Sequence, residues 1–74
     1  MTHRTLAKDF IGEVMMMQHY FQHEEISNCN LYYRIGKAQA IHNLIDRTRL
    51  SDKMLTEFEA WEDTYHQIRH DIDF

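Results

Sequence analysis

Proline is absent from this 74-residue chain, and glycine occurs only twice. Average usage would supply about 5 glycines and about 4 prolines at this length. Strand-rich folds use both residues in hairpins and bulges, so their scarcity argues against a turn-rich sheet and for long helices. Cysteine occurs once, at Cys29. A lone cysteine excludes an intrachain disulfide and fits a reducing compartment, so a cytoplasmic location is expected. Long apolar runs are missing as well. The longest is Val14-Met15-Met16-Met17, against the ~20 residues of a membrane span. The first residues carry Asp9 and Glu13 and no apolar core of a signal peptide, so none is expected. No G-x-x-x-x-G-K-[ST] or G-x-G-x-x-G pattern occurs, and two glycines cannot build such a loop.

What is present is a globular composition: 43% hydrophobic, 27% charged and 12% aromatic residues, which is not the low-hydrophobicity signature of disorder. The length predicts a single domain over residues 1–74. Apolar periodicity divides it into three helices, expected at about 5–25, 30–48 and 52–72. Leu6, Phe10, Val14, Met17 and Phe21 step by three and four and fall within a band of about 80°. Thr5 is the expected N-cap of this first helix. Ser27-Asn28-Cys29-Asn30 reads as the following turn, since these side chains compete for their own backbone.

The second helix is apolar on two sides. Leu31, Ile35, Ala38, His42 and Ile45 form one stripe; Tyr33, Ala40, Ile41 and Leu44 form another. Such a helix is expected at the centre of its fold or at an interface. Gly12 and Gly36 lie inside helices, where they are expected to admit close approach of a neighbouring backbone. The third helix has the clearest start: Ser51 as cap, Asp52 in the first turn, and Leu50 and Leu55 at the staple positions. Met54, Phe58, Trp61, Tyr65, Ile68 and Ile72 then repeat at three and four. Three amphipathic helices with short connections predict an all-α, up-down-up three-helix bundle. The second stripe, with Met15, Met16 and Tyr32 left over, predicts a homodimer formed through helical faces.

The net charge of −4 is unevenly spread. Residues 1–29 carry −2, residues 30–53 carry +3 and residues 54–74 carry −5. The plainer reading is mutual attraction of neighbouring helices; the sharper one is an acidic face offered to a basic partner. Glu59, Glu62 and Asp63 are the candidate contacts of that face. Tyr32, Tyr33, Met15 and Met16 are the candidate apolar contacts, because Tyr and Met are enriched at protein interfaces.

Two H-x-x-x-H pairs, His19/His23 and His66/His70, have the spacing with which one helix offers zinc two ligands. The carboxylates beside His66 and His70 could join them. Both pairs point away from their own apolar stripes, so no metal or other cofactor is expected, and a metal-binding bundle or dimer stands as the alternative. His42 lies on an apolar stripe and is expected to be a core histidine bonded to a backbone group or carboxylate. Cys29 has no CxxC partner and no context that specifies a nucleophile. Asp63-x-x-His66 has the step of a di-metal bundle motif, but helix two offers no matching glutamates. No catalytic constellation results, and an enzyme is not expected.

The joint Arg47-Thr48-Arg49-Leu50-Ser51 resembles a helix-turn-helix corner in outline. Its second helix is acidic, though, and phosphates would repel it. A nucleic-acid binder using Arg34, Lys37, Arg47 and Arg49 of helix two is a further alternative, but nucleic acid is not the expected partner. The expected function is a small non-enzymatic interaction module that binds the basic surface of another protein. In size and acidic composition, with no motif shared, the chain resembles the accessory inhibitors and regulators of phages and mobile elements.

Overall fold

The computed structural model describes residues 2–23 and 28–72. It is an all-α three-helix bundle: α1 (His3–His23), α2 (Asn28–His42) and α3 (Asp52–Asp71), with a short 3-10 turn at Arg47–Arg49. No strand occurs among the described residues. The Cα positions span 35 × 20 × 18 Å. Among the described residues, no helix is long and apolar enough to cross a membrane.

Early residues of α1, Arg4 and Lys8, line one cleft with Lys53 and Met54 at the start of α3. Its later residues, Gln18 and Phe21, line another with Thr64 and Asp71 near the end of α3. These helices therefore run the same way. Between them α2 runs back, so that Gln39 reaches Tyr65 and Arg69 while His42 reaches Glu62. The order is up-down-up.

The core is drawn from all three helices. Phe10, Val14 and Met17 of α1 meet Leu31, Ile35 and Ala38 of α2 and Phe58, Tyr65 and Ile68 of α3. Phe10 is its hub, with ring centroids 5.1 Å from Phe58, 5.4 Å from Tyr65 and 5.5 Å from His42. Truncating a buried Phe of this kind removes about 3–5 kcal/mol, the transfer and cavity terms together. Ile45, Leu50 and Met54 close the end of the core from the α2–α3 connection and the first turn of α3.

Several local expectations are corrected. The cap of α1 is Thr2, not Thr5: the Thr2 hydroxyl accepts the Thr5 backbone N–H at 3.1 Å. The helix thus begins two residues earlier than the apolar pattern, because a cap needs a free hydroxyl three residues ahead of an orphan N–H and not an apolar neighbour. The second helix starts at Asn28, the earlier of the two starts the sequence offers (Asn28 or Asn30), so Asn28-Cys29-Asn30 form its first turn; Ser27 lies outside the described residues, as do the side chain of Cys29 and all of Phe74.

The second helix ends at His42, not near residue 48. Leu44 and Ile45 shift to the tighter pattern, donating to the carbonyls of Ile41 and His42. Asp46 then adopts an extended backbone, and its carboxylate accepts the Thr48 N–H at 3.0 Å and the Thr48 hydroxyl at 2.7 Å. This Asp-x-Thr turn restarts the chain as a 3-10 turn. Ser51 caps α3, accepting the Met54 N–H at 3.2 Å.

The central helix is α1, which packs against both others, and not α2. Of the second stripe of α2, Tyr33, Ala40 and Leu44 are exposed and only Ile41 is half-buried. The glycines do not mark close approach either. A Cβ built on Gly12 or Gly36 meets nothing within 4 Å, because both lie on exposed faces.

Candidate functional site

Two carboxylates at the edges of the buried stripes organise the polar part of the bundle. Glu13 of α1 is 9% exposed and accepts from Arg34 Nη1 at 2.9 Å and Lys37 Nζ at 3.1 Å. Arg34 and Lys37 stand one turn apart on α2, so both reach the same acid. Burial raises the Glu13 pKa, but the hydrogen bonds and charges of Arg34 and Lys37 outweigh it and hold the carboxyl below the ordinary Glu value.

Glu62 of α3, also 9% exposed, is the second. His42 Nε2 lies 2.5 Å from its Oε2, and Arg47 donates to the same oxygen. Here too burial raises the pKa and the bonds from His42 and Arg47 bring it below the usual range. The ring of His42 stacks on Phe58 and Tyr65, while the Arg47 guanidinium lies 5.2 Å from the centre of the Phe58 ring. His42 is thus a core histidine bonded to a carboxylate. Glu62, read from the sequence as part of an outward acidic face, points inward instead. It sits beside the apolar stripe of α3, where the ring nitrogen of His42 and the guanidinium of Arg47 make its burial tolerable.

Further along the same seam, Tyr65 donates its hydroxyl to Gln39 Oε1 at 2.9 Å, and Arg69 Nη1 donates to that oxygen at the same distance. Burial pushes the Tyr65 pKa up. No buried side-chain nitrogen or oxygen among the described residues lacks a partner.

The remaining acids of the expected face lie outside. Glu59 and Asp63 are exposed and make no ion pair or hydrogen bond among the described residues. With His66 and His70 they occupy positions i, i+4, i+7 and i+11, one outward stripe of α3. The fold does not gather the four apolar candidates into one patch. Met16 lines a shallow cleft with Lys37 and Ile41 of α2, and Tyr33, 65% exposed, stands one turn from Lys37. Met15 instead shares a face with Gln18 and Gln22, which border α3. Tyr32 shares one with Gln39, which also borders α3.

Both histidine pairs are exposed; the rings of His19 and His23 lie 4.4 Å apart. Among the described residues, no three His, Cys, Asp or Glu side chains come together as metal ligands would. All four cations of the helix-two nucleic-acid alternative are in ion pairs: Arg34 and Lys37 with Glu13, Arg47 with Glu62, and Arg49, more loosely, with Asp46 at 3.8 Å. A cleft missed by the sequence reading lies between the starts of α1 and α3, where Arg4, Lys8, Arg49 and Lys53 converge. Its signal was available as two i, i+4 cation pairs, but they belong to segments about 45 residues apart. No protein-family model, no curated protein and no solved structure matches this chain.

Proposed function

We propose that the chain is a non-enzymatic protein-interaction module, a small regulator or inhibitor whose outward α3 stripe docks on a basic surface of another protein. The observation that carries this reading is the contrast among its carboxylates. Glu13 and Glu62 are turned inward and matched by cations, whereas Glu59 and Asp63 stand exposed, one turn apart and unmatched among the described residues. Two aligned acids on a rigid helix offer a basic partner charge complementarity at fixed spacing, which favours rate and specificity of association. His66 and His70 extend the same outward stripe by a further two turns.

The test is capture of partners by the tagged full chain beside a Glu59→Lys/Asp63→Lys variant. A basic protein retained by the parent chain and lost at least tenfold by the variant is the expected result. Recovery of the chain alone, or of the same protein equally by both, overturns the reading. Circular dichroism checks that the variant still folds, which the exposure of both positions predicts.

A further inference from the structure

We infer that the cleft between the start of α1 and the start of α3 binds a small organic diphosphate, of the nucleoside di- or triphosphate class. The cleft encloses about 530 Å3, within the range of small-ligand sites. Arg4 and Lys8 approach it from α1, Arg49 and Lys53 from the connection and the first turn of α3, and Glu57 is the one carboxylate on its wall. The distribution is unusual for a chain of net charge −4. Elsewhere, Arg34, Lys37 and Arg47 are matched to buried acids. Arg4, Lys8 and Lys53 make no ion pair among the described residues, and Arg49 reaches only Asp46, at 3.8 Å. Like charges held around one concavity repel each other, and a ligand with several negative charges relieves that repulsion at once.

The chemistry narrows the anion. Two guanidiniums present planar forks of donors and two ammoniums present point charges, a set suited to the many oxygens of linked phosphates. Cations on both walls require at least two anionic groups close together, which one monocarboxylate does not supply. Leu50 and Met54, both half-buried, give the cleft an apolar portion for an organic group. No aromatic ring lines it, so the stacking platform used by single-stranded nucleic acid is missing. The Ser51 oxygen accepts the Met54 N–H in capping α3, which leaves its own hydroxyl proton available to an anion oxygen in the cleft. Lys53 and Glu57 lie about 120° round α3 from Glu59 and Asp63, so this site is separate from the proposed docking stripe.

The experiment is a titration of the full ¹⁵N-labelled chain, followed by amide shifts, with ADP, pyrophosphate, inorganic phosphate and a single-stranded oligonucleotide in parallel. Saturable shifts confined to the cleft are expected, with ADP tightest and inorganic phosphate weakest. Arg4→Gln/Lys53→Gln should weaken ADP at least tenfold. Glu57→Gln, which removes the opposing charge, should tighten it about threefold, a gain that damaged folding would not produce. Absence of saturation overturns the proposal, as do shifts spread equally to Lys37 or an oligonucleotide that binds more tightly than ADP. Pyrophosphate binding as tightly as ADP overturns the nucleoside part.

Discussion

Glu13 and Glu62 pose the same problem in two places, a nearly buried carboxylate at a helix seam, and the fold solves it in two ways. At the α1–α2 seam the partners of Glu13 are Arg34 and Lys37, neighbours on one helix whose charged ends reach solvent. At the α2–α3 seam the partners of Glu62 come from different elements: His42 closes α2, and Arg47 belongs to the 3-10 turn beyond it. The first clip joins two helices. The second also fastens the connection, and it does so against the rings of Phe58 and Tyr65. Similar exposure of the two acids therefore conceals different freedom of their partners. Lys37 and Arg34 can turn into water when released, whereas the His42 ring packs against Phe10, Phe58 and Tyr65.

The largest effect that should break this likeness is Glu62→Ala. Loss of the shared acceptor strands a partly buried imidazole and frees the connection, so destabilisation of about 2–3 kcal/mol is expected, discounted from the fully buried case because His42 and Arg47 remain partly exposed. Glu13→Ala should cost about 1 kcal/mol, since both of its partners rehydrate. Urea unfolding of the two variants measures the difference; equal losses would show that the aromatic surroundings of His42 add nothing.

Acidification treats the clips alike. Both carboxyls are held below their ordinary value of 4.5, so the unfolded chain takes up protons first as pH falls. Their contribution is complete above the ordinary Glu range and is lost as pH falls below it through the lowered folded values. Unfolding midpoints should therefore decline below about pH 4.5, and the decline should flatten in Glu13→Gln/Glu62→Gln. An unchanged acid limb in the double variant would assign the loss to other groups.

The smallest effect sharpens the comparison without touching either acid. Gly12 precedes Glu13, and Gly36 stands between Arg34 and Lys37, so both helices of the first clip carry a flexible residue beside it. A methyl at either position meets open space. Gly12→Ala and Gly36→Ala should each stabilise by about 0.5–1 kcal/mol, read from thermal unfolding, by reducing backbone freedom in the unfolded chain.

These seams also separate what the sequence makes legible from what it does not. The Ser51-Asp52 start of α3 and the buried stripe through Phe10, Val14 and Met17 could be read because caps and apolar periods act within a few residues. The role of His42 could be read in type, as a histidine on an apolar stripe bonded to a backbone group or a carboxylate. Its partner could not, because Glu62 lies at the margin of its own stripe and turns inward only where His42 and Arg47 arrive from other elements. The end of α2 was hidden for a related reason. Ile45 continues the helical spacing of Leu31, Ile35 and Ala38 and is still packed on the core, but it arrives there from the connection. The basic cleft and the central place of α1 depend on which helices meet, a matter of topology and not of local pattern.

The hub position of Phe10 has a consequence for how the chain reaches this fold. Its ring is covered by Phe58 and Tyr65, about fifty residues further along a chain of 74. An α1–α2 hairpin formed by itself would leave that ring without its α3 cover, so local pairing alone gains only part of the burial. Helical bundles usually fold quickly because their contacts are close in sequence. Here the hub contact spans most of the chain, so closing it costs more chain entropy than a local pairing, and the Phe10 ring is fully covered only when all three helices are together.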